Sequence, residues 1–130
     1  LSIFFDAFKE STAKYLYYSV PMFSFSVILE SIFPEVFPRQ LSGGHTHLFT
    51  DESIKKMNSI IGVESLAEWR FGTDIMDLYR SIITMLNKNK ASNKVINIMK
   101  SEFANTIDKL QTAIDERHFC SEIHCLSVKL

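Results

Sequence analysis

The chain has little of what marks the commonest ready-made functions. Among 130 residues there are two cysteines, three prolines, four glycines and one tryptophan. Two cysteines are too few for the disulfide framework of a small secreted module. Four scattered glycines cannot build a phosphate cradle, and there is neither a Walker loop nor a G-x-G-x-x-G turn. The serine-hydrolase elbow G-x-S-x-G, the zinc motif H-E-x-x-H and the redox pair C-x-x-C are also absent. Nothing pairs a nucleophile with its base, so an enzyme is the least favoured class.

Charge of one sign is lacking too. Fourteen basic against fifteen acidic side chains leave a formal net charge of −1. That balance provides no footprint for a phosphate backbone, and no nucleic-acid partner is expected. Lys88, Lys90 and Lys94 read as a solubilising loop. The longest uncharged run, Tyr15 to Leu29, is shorter than the ~20 apolar residues of a spanning helix, and Pro21 interrupts it. It is expected to be a buried helix–turn–helix junction rather than a membrane contact. No basic stretch leads into an apolar one as in a signal peptide. There is no N-x-S/T acceptor, and the first residue is Leu1. The expectation is a processed or excised chain in an intracellular setting, its compartment unspecified.

What is present is an ordinary globular mixture, 46% apolar and 22% charged, and its length suggests one domain over residues 1–130. Eight of the eleven phenylalanines fall before residue 50, with Tyr15, Tyr17 and Tyr18 beside them. The spacing reads as helical almost throughout. Leu1, Phe4, Phe5, Phe8, Tyr15 and Leu16 form a first stripe. A second helix, Met22 to Phe33, with Ser19 as cap and Pro21 near its start, is apolar nearly all round and needs covering. Pro34 and Pro38 end it. Thr50 caps a third helix, Asp51 and Glu52 suit the positive end of its dipole, Phe49 and Ile54 stand at staple positions, and Gly62 closes it. "SLAE", Ser65 to Glu68, fits a capping box for a fourth helix, bent or split at Gly72, with a stripe from Ile75 through Leu78, Tyr79, Ile82 and Ile83 to Leu86. A long fifth helix, capped by Ser92 or Asn93, carries Ile96, Met99, Phe103, Ile107, Leu110 and Ile114. Residues 118–130 continue that helix and end as a loose tail, or form a short strand in which Leu126, Val128 and Leu130 alternate. The fold expected is all-α, a single-domain bundle of five or six helices.

The one chemical-looking phrase is "HFCSEIHC", residues 118–125. On a helix, Cys120 and His124 share a face, and His118 and Cys125 share a neighbouring one. Thiolate and imidazole are zinc's preferred ligands, so Cys120, His124, His118 and Cys125 are the candidate metal ligands, with His45 and His47 of "GGHTH" as further donors. Zinc is the metal these residues suggest, and no other cofactor is expected of them. A Cys120–Cys125 disulfide would require a non-helical tail. Asp74 with Asp77, and Asp115 with Glu116, read as solvated helix faces. Trp69, Arg70 and Phe71 read as a recognition patch or a core anchor.

A helical domain without a catalytic motif acts by binding. The expected function is a non-catalytic protein–protein interaction or oligomerisation module. Its partner would be another protein or a second copy of itself, and Phe23, Phe25, Ile28, Trp69, Phe103 and Leu110 are candidate interface residues. On this register Leu110→Asp unfolds the domain or dissociates an oligomer. The alternative is a helical pocket for an apolar ligand, a metal or haem, as in a sensor or carrier. No histidine lies inside an apolar helical stripe, where a buried haem would require it.

Overall fold

A computed structural model of the chain describes residues 2–36, 38–41 and 45–130. It overturns the all-α expectation: helices pack on a three-stranded antiparallel sheet, making the fold mixed α/β. The elements are α1 (Ser2–Glu10), β1 (Tyr15–Pro21), α2 (Phe25–Ile32), α3 (Asp51–Ile61), β2 (Val63–Phe71), α4 (Asp74–Lys88), α5 (Asn93–Ile98), α6 (Ile107–Glu116) and β3 (Glu122–Lys129). Strand order is β1–β3–β2, so the chain end read as a helix with a loose tail is the central strand.

Each correction has a local cause. "YLYYSVP" places Leu16 toward the core and leaves Tyr15, Tyr17 and Ser19 exposed. Large aromatics on both faces mask the period-two signal, and the run reads as uniformly apolar. β2 takes the segment read as a capping box. Ser65 Oγ does lie 3.5 Å from Glu68 Oε1, but on a strand whose register shifts between Ser65 and Ala67. In β3 the buried residues are Ile123, Cys125 and Ser127. The alternating Leu126 and Val128 therefore mark its other face.

The third helix keeps its expected ends. Thr50 accepts from the Ser53 N–H, Ser53 Oγ accepts from the Thr50 N–H at 2.8 Å, and Gly62 closes the helix at φ +80°. Positive φ is a conformation glycine adopts without strain. The fifth helix is not continuous: a wide π turn over Met99–Phe103 and a tight 3₁₀ turn over Ala104–Thr106 join α5 to α6. Leu110 is 41% exposed, so it anchors no core.

The apolar core lies between one face of the sheet and α1 and α3. Phe8, Leu16, Met22, Ile54, Met57, Ile61, Val63, Ile123 and Cys125 form it. Lys129 ties the end of β3 to α1: its ammonium donates to the carbonyls of Phe8 at 3.1 Å, Lys9 at 2.5 Å and Ser11 at 2.9 Å. A cation suits the negative end of a helix.

A second, polar core joins α2, α4, α6 and the start of β3. Asp74 and Asp77, expected to be solvated, are fully buried. Asp74 accepts from the Ser26 and Ser121 N–H groups, both at 3.0 Å, and from Gln111 Nε2 at 3.3 Å. Asp77 accepts from Ser26 Oγ at 3.0 Å and pairs with Arg39 at 3.5 Å. Burial pushes the Asp77 carboxyl above its usual range; Arg39 and Ser26 oppose this, and the charge of Asp74 adds to it. Buried carboxylates persist only when so bonded, and these two fasten four elements together.

Candidate binding site at the open edge of the sheet

β1 is an edge strand without a charged residue. It pairs with β3 in unbroken register from Tyr15↔Val128 to Pro21↔Glu122. The Met22 N–H donates to the Ser121 carbonyl, on the β3 side. Backbone direction alternates along a strand, so Leu16, Tyr18 and Val20 also turn their N–H and C=O groups to β3. Tyr15, Tyr17 and Ser19 turn theirs outward. At the far end the same outward side is covered: the Phe49 N–H donates to the Pro21 carbonyl at 2.9 Å, and the Phe23 N–H to the Phe49 carbonyl at 2.8 Å. No strand among the described residues pairs with the rest of that edge.

The opposite edge shows the contrast. β2 bears Glu64, Glu68 and Arg70 and is bulged between Ser65 and Ala67. Charge and bulges are how sheets block unwanted pairing. β1 has neither: its seven residues are uncharged and its register is regular.

Beside this edge lies an apolar groove of about 210 Å³, lined by Phe4, Phe5, Val20, Phe49, Met57 and Ile61 among others. On the other side of the sheet the exposed face is aromatic. Tyr17 is 62% and Trp69 64% exposed, flanking His124 of the central strand. Phe71 completes the ring around the imidazole, 4.9 Å from it and 4.6 Å from Trp69. The Tyr17 hydroxyl bonds His124 Nδ1. His124 Nε2 lies 3.0 Å from Glu122 Oε1, which also accepts from Ser19 Oγ at 2.8 Å. Burial pushes the Glu122 carboxyl up, but the Ser19 and His124 hydrogen bonds and the His124 and Arg39 charges hold it below its usual range.

The candidate metal ligands do not converge. Cys120 and Cys125 are fully buried and free, and His124 stands on the opposite, exposed face from Cys125. His118 lies 3.4 Å from Asp51 of α3, and His47 bonds only its neighbour Thr46 among the described contacts. Among the described residues no group of three or more His, Cys, Asp or Glu is placed to hold a metal ion. Burial raises the Cys120 thiol to about 11, and burial also raises Cys125 against the pull of Tyr18. Both therefore hold their protons near neutral pH.

The candidate interface residues are spread over the molecule. Trp69 belongs to the aromatic sheet face. Phe25 packs on Phe119, and Phe103 stacks on Tyr79. Phe23 and Ile28 are exposed in and before α2, and Leu110 is exposed on α6. Sequence reasoning missed the edge itself, Tyr15 to Ser19, because an edge is a property of strand order. The signal available was an uncharged aromatic run ending at a proline.

Among the described residues no helix is long and apolar enough to cross a membrane. No protein-family model, curated protein or solved structure matches the chain.

Proposed function

We propose that the domain is a non-catalytic interaction module that takes an extended polypeptide segment onto β1. The observation that carries this reading is the uncharged edge with an apolar groove beside it. Outward amides and carbonyls at Tyr15, Tyr17 and Ser19 match only an extended backbone. Alternate side chains of an added strand meet the Phe4, Phe5 and Phe49 groove, the arrangement by which strand addition obtains both affinity and selectivity. The occupant is therefore an uncharged segment with apolar side chains at every second position, supplied by another protein or by a second copy of this chain. An intracellular setting suits the two free thiols.

The test is an array of immobilised seven-residue peptides, probed with the native chain and with Tyr17→Pro. The Tyr17 N–H points away from β3, so proline there spares the β1–β3 ladder. Peptides with alternating apolar residues should bind the native chain and lose at least about tenfold in affinity to the variant, one lost backbone hydrogen bond plus the steric block. Equal binding by both proteins would refute strand addition at this edge.

A further inference from the structure

A second concave site lies apart from the groove. A cleft of about 580 Å³ opens at the carboxyl ends of β1 and β2 and the start of β3. That is within the ~300–1,000 Å³ of small-molecule sites. Both β1 and β2 run antiparallel to β3, hence parallel to each other. Ser19, Arg39, His45, Thr73 and Glu122 supply its polar groups, and Phe71 is an aromatic wall.

The charges in the cleft indicate the kind of ligand. Arg39 Nη1 donates to Thr73 Oγ1 at 2.7 Å and pairs with the buried Asp77. Arg39 and Glu122 place one charge of each sign in the lining, so the cleft favours neither an anion nor a cation. A neutral ligand fits that balance. Glu122 offers the most developed recognition group. Ser19 Oγ and His124 Nε2 both hold its Oε1, which leaves Oε2 as an oriented acceptor. A pre-positioned carboxylate beside an aromatic ring suits a molecule with neighbouring hydroxyls and a flat C–H face.

We propose that this cleft binds a neutral small molecule through a vicinal diol, with Glu122 accepting from the hydroxyls and Phe71 packing against the ring that bears them. Free sugars and the ribose of nucleosides share that chemistry.

The test is an NMR titration of the isotope-labelled chain with methyl α-glucoside, adenosine and 2′-deoxyadenosine. Saturable shifts at Ser19, Thr73 and Glu122 are expected with at least one of the two diols. Glucoside binding points to a free sugar. Adenosine binding at least about tenfold tighter than that of its deoxy analogue points to a ribose. Glu122→Gln should weaken the bound diol by about tenfold as well. If that variant does not fold, Ser19→Ala takes its place, since it frees the carboxylate from one of its two donors, and weaker binding is again expected. Three results overturn the proposal: no saturable shift with either diol, deoxyadenosine binding as well as adenosine when the glucoside does not bind, or a folded variant that binds like the native chain.

Discussion

At the scale of single residues, Gly72 has little freedom to change. A β-carbon there would lie 2.2 Å from Asp74 Oδ2, 2.6 Å from Ser121 Oγ and 2.9 Å from the Ser121 nitrogen. Those atoms belong to the buried network that fastens α4 to the start of β3, so they cannot yield without breaking it. Gly72→Ala should destabilise the fold by about 1–3 kcal/mol, the usual range for overpacking, measured by chemical denaturation. A change under about 0.5 kcal/mol would mean the backbone relaxes there. The sequence marks Gly72 as a helix bend, because glycine advertises an interruption but not what presses against it.

Glu122 yields a pH prediction. Its carboxyl is held below the ordinary value of 4.5 in the folded chain. It therefore binds fewer protons folded than unfolded near that pH. Its contribution to stability is complete above pH 4.5 and fades as pH falls through the lower folded value. Melting temperature followed downward from pH 6 should fall more steeply for the native chain than for Glu122→Gln. Parallel curves would show that the Ser19 and His124 contacts do not favour the ionised form.

At the scale of elements, legibility follows how local the signal is. The ends of α3 were readable because Thr50, Asp51 and Gly62 act within one turn. The strands were not. Tyr17 and Tyr18 are both aromatic, yet one faces out and the other toward the core; β3 buries Cys125 and Ser127 while Leu126 is exposed. Identity and burial run out of phase there, and strand order then decides what side-chain type alone cannot. The same mismatch places Leu110 on the surface of α6 while Ile107 is buried. Leu110→Asp, expected from the helical stripe to unfold the domain, should shift stability by no more than about 0.5 kcal/mol. Ile107→Asp should cost several times that, since it buries an unpaired charge. Thermal melts of the two variants separate the registers, and a large loss from Leu110→Asp alone would restore the original one.

At the scale of the whole molecule, the features that suggest function come from assembly of distant segments. The groove beside β1 joins α1, β1, α3 and Phe49, and the cleft joins both parallel strands to Arg39 and Glu122. The sequence does show that catalytic motifs are missing and that aromatics crowd the first half. It does not show that Tyr17, Trp69 and His124, far apart in the chain, share one sheet face. It also cannot show that "HFCSEIHC" splits its donors between the interior and the surface. The asymmetry of the two edges, one charged and bulged and the other plain, appears only once β3 is seen to lie between them.

The most direct measurement is residue-resolved amide hydrogen exchange along β1 in the monomeric chain. An open edge predicts a strict alternation, with Tyr17 and Ser19 exchanging fast and Leu16, Tyr18 and Val20 protected by β3. Addition of a bound extended peptide should slow Tyr17 and Ser19 to the rate of their neighbours. Equal protection of all five amides in the monomer without peptide would show that the edge is already covered, and would contradict the account.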